Sequence, residues 1–200
     1  MQSGRLTDFA QVEELYRTRM KKDFARNELK PLQSMKRLWE KDAYDCYGLF
    51  DGEELLAYAF FIRQGRNYLL DYFAVAEEHR DEGLGSAFMQ ELLSLLKEAD
   101  GVLVEIEDPD KAEDEKTRTQ RERRREFYVR NGYRSTGAAS RLFGVDYLIL
   151  EAQTGKEHPA EEIPDIYAGF YRETLTPFFF RTQFQVMQES GKVGEQGQHS

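Results

Sequence analysis

Arg80, Gly83 and Gly85, in the run Arg80-Asp81-Glu82-Gly83-Leu84-Gly85-Ser86, are the residues of this chain best suited to holding an anion. They follow a short apolar and aromatic stretch, Tyr68 to Val75, broken only by Asp71. They precede Leu84, Phe88, Leu92 and Leu95, which recur at helical spacing. The order is strand, tight turn, helix, with the helix opening at about Gly83. At a helix start the backbone N–H groups lack an intrahelical acceptor and the helix dipole is positive. Glycine places no Cβ in front of those amides, so a phosphate can approach them.

The elements that position this turn can be taken in order. Thr7 is suited to cap a helix carrying Phe9, Val12, Leu15, Tyr16 and Met20 on one face, and Pro31 opens a second with Leu32, Met35, Leu38 and Trp39. Tyr44 to Phe50 and Leu55 to Arg63 read as strands joined through Asp51-Gly52, giving a three-stranded antiparallel meander with Tyr68 to Val75. After the glycine-turn helix, Val102 to Glu107 is a strand with Val102, Val104 and Ile106 on one face and Leu103, Glu105 and Glu107 on the other. A helix between two strands implies a parallel crossover. Thr117 and Gln120 suggest a capping box for a helix over 118–131, and Tyr133 to Ala139 and Val145 to Leu150 supply two closing strands. In the tail, Asp165 is placed to cap a helix with Ile166, Tyr167, Phe170 and Tyr171. Pro177 then ends it, and Phe178, Phe180, Phe184 and Val186 alternate as in a strand.

Composition narrows the function. Two hundred residues, 40% hydrophobic, suffice for one core. A net charge of −9 argues against a nucleic-acid partner and mildly favours a cationic substrate. The single cysteine, Cys46, forbids an internal disulfide and reads as a small buried hydrophobe; with three histidines the chain does not suggest a zinc site. Asp108-x-Asp110 begins like a calcium loop but has Glu113 and Thr119 where that loop needs Gly and Glu, so no metal is expected. The start carries no apolar signal region, and the longest apolar stretch, Leu55 to Ile62, is too short to span a bilayer, so no membrane partner and a cytoplasmic location are expected.

Two motifs carry a family likeness. Arg80-x-x-Gly83-x-Gly85 resembles the signature loop of the GNAT N-acetyltransferases, and Phe127-Tyr128-x-x-Asn131-Gly132-Tyr133 resembles the later Phe-Tyr-x-x-x-Gly-Phe element of the same family. The resemblance, with the element order, covers residues 43–150. It implies an α/β (α+β) acyl-CoA acyltransferase fold: a mixed central sheet of about seven strands flanked by helices, with a C-terminal helix-strand extension. Residues 1–154 would form the acetyltransferase domain, 155–188 an extension packed on it or on a partner in a homodimer, and 189–200 a disordered tail. Acetyl-CoA is the implied cosubstrate. Its pyrophosphate would lie on Arg80, Asp81, Glu82, Gly83, Leu84, Gly85 and Ser86, and its pantetheine arm along Phe73, Ala74 and Val75 where two strands splay. An N–H near Phe73 or Val75 would stabilise the thioester oxyanion.

The activity so implied is direct transfer of acetyl to a primary amine of a small molecule or peptide, with Tyr128 as general acid toward the leaving thiolate. A phenol of pKa about 10 suits a thiol of about 8.5. Freeing an alkylamine of its proton at neutral pH costs about 4 kcal/mol, so a base is wanted. Glu105, mid-strand and facing the presumed splay, is the first candidate, with Asp71 and Glu107 behind it. The chain departs from the family where many members carry an Asn seven residues before the tyrosine: Arg121 stands there, and is a candidate contact to a CoA phosphate. Two other readings stay open, a non-catalytic acyl-CoA-binding module and an interaction module built on the aromatic tail.

Overall fold

The structure, a computed structural model, describes residues 1–26, 28–152, 154–155 and 158–188; the tail expected to be disordered lies outside them. Strands β1 (Gln2–Arg5), β2 (Tyr44–Asp51), β3 (Glu54–Gln64), β4 (Asn67–Val75), β5 (Gly101–Glu107), β6 (Tyr133–Leu142), β7 (Val145–Ala152) and β8 (Phe184–Gln188) form one sheet in the order β1-β2-β3-β4-β5-β7-β6-β8. Only β4 and β5 run parallel. The expected meander and crossover are present, and the eighth strand is β1, too short and polar to announce itself, which adds to the edge of β2.

The helices are α1 (Phe9–Leu15), prolonged by a π-turn over Tyr16–Met20 and by α2 (Lys21–Asp23), then α3 (Leu32–Glu40), α4 (Leu84–Leu95), α5 (Glu115–Arg130), α6 (Ile163–Thr174) and α7 (Pro177–Gln183). Three starts differ from expectation. Asp8, not Thr7, caps α1, because its carboxylate takes the Ala10 N–H while the Gln11 side chain returns to the cap backbone. Asp114 caps α5 by accepting the Thr117 N–H at 2.7 Å, so Thr117 falls inside the first turn; a charged acceptor at the positive helix end outcompetes a hydroxyl. α6 opens at Ile163, with Pro164 and Asp165 inside its first turn rather than Asp165 at the cap.

The tail corrects a further reading: residues 177–183 are helical and the strand begins only at Phe184. Thr176 caps this helix and Pro177 opens it, and the four-residue spacing then stacks Phe180 on Phe184, with ring centroids 5.0 Å apart. Phe178 and Phe179 are left outward, both exposed, with Phe179 against the equally exposed Phe143.

The sheet is apolar on both faces and has a core on each. Helices α4 and α5 cover Leu70, Val102, Val104, Ile106 and Leu150 with Phe88, Met89, Leu92 and Tyr128. On the other face α1, α3 and α6 cover Tyr44, Cys46, Phe60, Leu69 and Leu103 with Val12, Met35, Tyr167 and Phe170. Cys46 is buried there, as expected. Helix α6 lies flat on the sheet because Gly169 has no side chain; a Cβ would stand 2.1 Å from Gln64 Oε1. Among the described residues no helix is long and apolar enough to cross a membrane.

Candidate active site

The site begins where two strands part. β4 and β5 pair from Asn67 with Gly101 to Leu70 with Val104, and no further. At the same level the register between β3 and β4 slips: Phe61 faces Leu70 and Phe60 faces Tyr72, which leaves Asp71 as an extra residue, a β-bulge that bends β4 away from β5. Beyond it, β4 stays paired to β3 up to Val75, and β5 stays paired to β7 up to Glu107. The Ala76 N–H donates to Leu56 O at 2.7 Å, so by alternation Ala74 also faces β3 while Phe73 and Val75 point their N–H and C=O groups into the gap. Sequence reading saw Asp71 as a polar interruption; its larger effect is to open the cleft.

The gap leads into the glycine turn. Gly83 has φ +81°, a left-handed conformation that L side chains resist, and it precedes α4 without any side-chain cap. The first bond of the helix runs from Ala87 N–H to Gly83 O, so the amides of Leu84, Gly85 and Ser86 have no acceptor among the described residues. A Cβ at Gly85 would stand 3.4 Å from both Val75 Cγ2 and the Phe127 ring, so the fold itself tolerates one. Arg80 Nε donates to Val75 O at 3.2 Å and folds the turn back on the end of β4, and Asp81, at φ 65°, makes the bend. Glu82 leans on His79 Nδ1 at 3.2 Å.

Helix α5 closes the far side. Phe127 packs on Phe73 with centroids 5.6 Å apart, and Asn131, at the C-cap of α5, donates from Nδ2 to Ser86 Oγ at 3.1 Å. Asn131 thus ties the end of α5 to the start of α4, a brace that sequence reading took only for a helix terminus. Tyr128 lies edge-on to Phe127 and Tyr133, both at 5.3 Å, and its hydroxyl bonds no described residue. Burial pushes its phenol up to about 12, against a small opposing pull from Arg124. It therefore keeps its proton at neutral pH. Arg121 is engaged at the end of β5, with Nε 3.2 Å from Glu107 Oε2 and Nη1 donating to Asp108 O at 2.9 Å.

Two of the three candidate carboxylates, Asp71 and Glu105, lie on the opposite face of the sheet from Tyr128, whereas Glu107 is held by Arg121 of α5. Asp71 is ion-paired with Lys30 and accepts the Tyr44 hydroxyl at 2.7 Å. Glu105 accepts the Tyr171 hydroxyl at 2.6 Å and the Tyr167 hydroxyl, both at Oε2. Burial pushes the Glu105 carboxyl up; the two tyrosine hydroxyls and Lys30 pull the other way without cancelling it. Acid and base candidates thus flank the opening from opposite sides. Among the described residues, no cluster of three or more His, Cys, Asp or Glu could hold a metal ion.

Residues 42–135 match the family model of the acetyltransferase (GNAT) domain. Over that stretch the chain is similar to a GNAT acetyltransferase domain. No curated protein matches it by sequence. Solved structures share the fold: a GNAT-family acetyltransferase from Bacteroides thetaiotaomicron, at 15% identity and TM-score 0.67, covers 86% of this chain and 96% of its own. The ribosomal-protein-S18-alanine N-acetyltransferase from Escherichia coli, at 14% identity and TM-score 0.56, covers 78% of this chain and 97% of its own. A Bacillus subtilis acetyltransferase in complex with CoA, at 15% identity and TM-score 0.50, covers 76% of this chain and 96% of its own.

Three residues of the candidate site are not marked by the sequence. Lys30 is in the turn before α3, where nothing in the chain marks it. Tyr167 and Tyr171, in contrast, stand four apart among the apolar residues of the helix that the sequence predicts there, the spacing that puts two hydroxyls on one side of a helix.

Proposed function

We propose that the protein transfers an acetyl group from acetyl-CoA to a primary amine of a small molecule or peptide, by direct attack within a ternary complex. The observation that carries this reading is the gap beyond Leu70 and Val104, edged by the inward-facing amides of Phe73 and Val75 and ending at the uncapped start of α4. An extended pantetheine arm can pair with such an edge as a strand would, and a pyrophosphate can take the amides of Gly83 to Ser86, with Arg80 beside it. Arg121 would have to leave Glu107 to reach a CoA phosphate.

The chemistry follows from the positions. The amine gives its proton to Glu105, directly or through a water, and its lone pair attacks the thioester carbon from the α6 face. The developing oxyanion takes an N–H of Phe73 or Val75. Collapse breaks the carbon–sulfur bond, Tyr128 supplies the proton that turns thiolate into thiol, and the second proton of the attacking nitrogen passes to solvent, from which Tyr128 is reprotonated. The products are the N-acetyl amide and CoA, with no acyl group left on the protein. The relatives' CoA complex and N-acetyltransferase activities support the cosubstrate and reaction class.

Calorimetric titration with acetyl-CoA tests the first half, comparing wild type with a folded variant carrying Gly83→Glu and Gly85→Glu. Binding by wild type alone supports the loop assignment. A thiol-release assay over a panel of amines tests the second half. Binding without turnover on any amine would favour a non-catalytic acyl-CoA-binding protein.

A further inference from the structure

We propose that Tyr167 and Tyr171 are positioning residues that hold Glu105 as the base, making helix α6, which lies outside the matched domain, part of the active site. The inference rests on the acetyltransferase reading and extends it to a segment the family match does not reach.

Both tyrosine hydroxyls converge on a single atom, Glu105 Oε2, and Oε1 bonds no described residue. A free glutamate has three side-chain torsions; two rigid donors on one oxygen leave it one orientation and reserve the other oxygen for an incoming proton. The donors are themselves fixed. Tyr167 and Tyr171 are both buried, their rings meet at 5.2 Å, Tyr171 packs on Phe184 at 4.9 Å, and the Tyr167 hydroxyl is 3.0 Å from Ser140 Oγ on β6.

The other groups facing Glu105 come from three further elements: Asp71 on β4, Tyr147 on β7 and Lys30 from the turn before α3. Lys30 is ion-paired with Asp71, and among the described residues the groups hydrogen-bonded to the Glu105 side chain are neutral hydroxyls. That choice of partner has a consequence. A cation bonded to the carboxylate would orient it but strip its basicity, whereas phenol donors orient it and leave a carboxylate that burial keeps receptive to a proton. The hydroxyls still favour the charged form, so removing them must make Glu105 harder to ionise.

The test uses the full chain as wild type, Tyr167→Phe, Tyr171→Phe and the double variant, with Glu105→Gln to assign the Glu105 signal. The pH dependence of kcat/KM is read by thiol release with the best amine from the panel, and the carboxylate is followed by carbon-13 NMR in glutamate-labelled protein. In the double variant the acidic limb moves to higher pH, so that at a fixed pH below the midpoint kcat/KM drops by about tenfold relative to its own plateau. The Glu105 titration moves with it, and acetyl-CoA affinity is kept. A limb that stays in place while wild type turns over would overturn the proposal, as would a carboxylate midpoint that moves without the limb. Should the double variant not fold, Tyr171→Phe decides alone. Failure of the acetyltransferase reading is distinct, because it appears as absent turnover in wild type before any variant is made.

Discussion

Leu70 and Val104 are the last residues through which β4 and β5 are paired, and the next residue of β4, Asp71, is the bulge that separates them. A carboxylate at that point is nearly buried and is balanced by Lys30, with side-chain exposures of 4% and 24%. Lys30→Met strands the charge and should lower stability by about 3 kcal/mol, and adding Asp71→Asn should restore most of it. Urea unfolding of the single and double variants checks this; equal losses in both would show that the pair is not the reason.

The two glycines of the turn should separate fold from ligand. Gly83→Ala meets a backbone at φ +81° and should cost about 1 kcal/mol of stability. Gly85→Ala has room for its Cβ and gains helix propensity, so it should unfold no earlier than wild type, yet bind acetyl-CoA about tenfold more weakly because the Cβ fills the space between Val75 and Phe127 beside the amides a phosphate needs. Thermal melts and calorimetry on the same two proteins measure both effects.

The pH profile follows from Glu105 and Tyr128. A carboxyl held above its ordinary range is still protonated, and useless as a base, at a pH where a free glutamate of about 4.3 has already ionised. The acidic limb of kcat/KM should therefore lie above that value. Tyr128, at about 12, stays protonated through the working range, so no descending limb from the acid should appear below roughly pH 10. A bell closing near neutrality would remove Tyr128 from the acid role.

Tyr128→Phe keeps the ring contacts with Phe127 and Tyr133 and removes only a hydroxyl without a described partner. It should leave stability within about 0.5 kcal/mol and cut kcat by roughly a hundredfold, with KM for acetyl-CoA little changed. An unchanged kcat would mean that solvent protonates the thiolate.

Truncation before α6 should cost the fold itself rather than change the association state. Ile163, Tyr167, Phe170 and Tyr171 are buried against the sheet. At about 2 kcal/mol each, their loss is on the order of 8 kcal/mol, comparable with the 5–15 kcal/mol that holds a typical domain together. Circular dichroism of a chain ending at residue 162 would show it; a folded monomer would make the extension an independent appendage.

Much of this was legible in the chain. Local spacing sufficed for the glycine turn, because φ demands at Gly83 and the apolar period from Leu84 are written within a dozen residues, and period-two alternation put Glu105 on the face opposite Val104 and Ile106. The element order likewise determined the parallel crossover, since a helix between two strands leaves few other topologies. Where it failed, neighbours in sequence competed at close odds: Thr7 against Asp8 for one cap, or a run of phenylalanines that serves helix and strand equally well until Thr176 and Pro177 settle it.

Only the tertiary structure decided where the strands part and what stands over Glu105. The bulge at Asp71 exists because β3 and β4 fall out of register across more than ten residues of chain, a property of the pair and of neither strand alone. The bonds from Tyr167 and Tyr171 to Glu105 span 62 and 66 residues, and no local pattern encodes a contact that long. The sequence by itself determined the turn, the strand faces and the residue types able to do acyl transfer; folding alone brought the C-terminal tyrosines to the carboxylate, because a hydroxyl finds a distant buried acceptor only after the apolar face of its helix has been laid on the sheet.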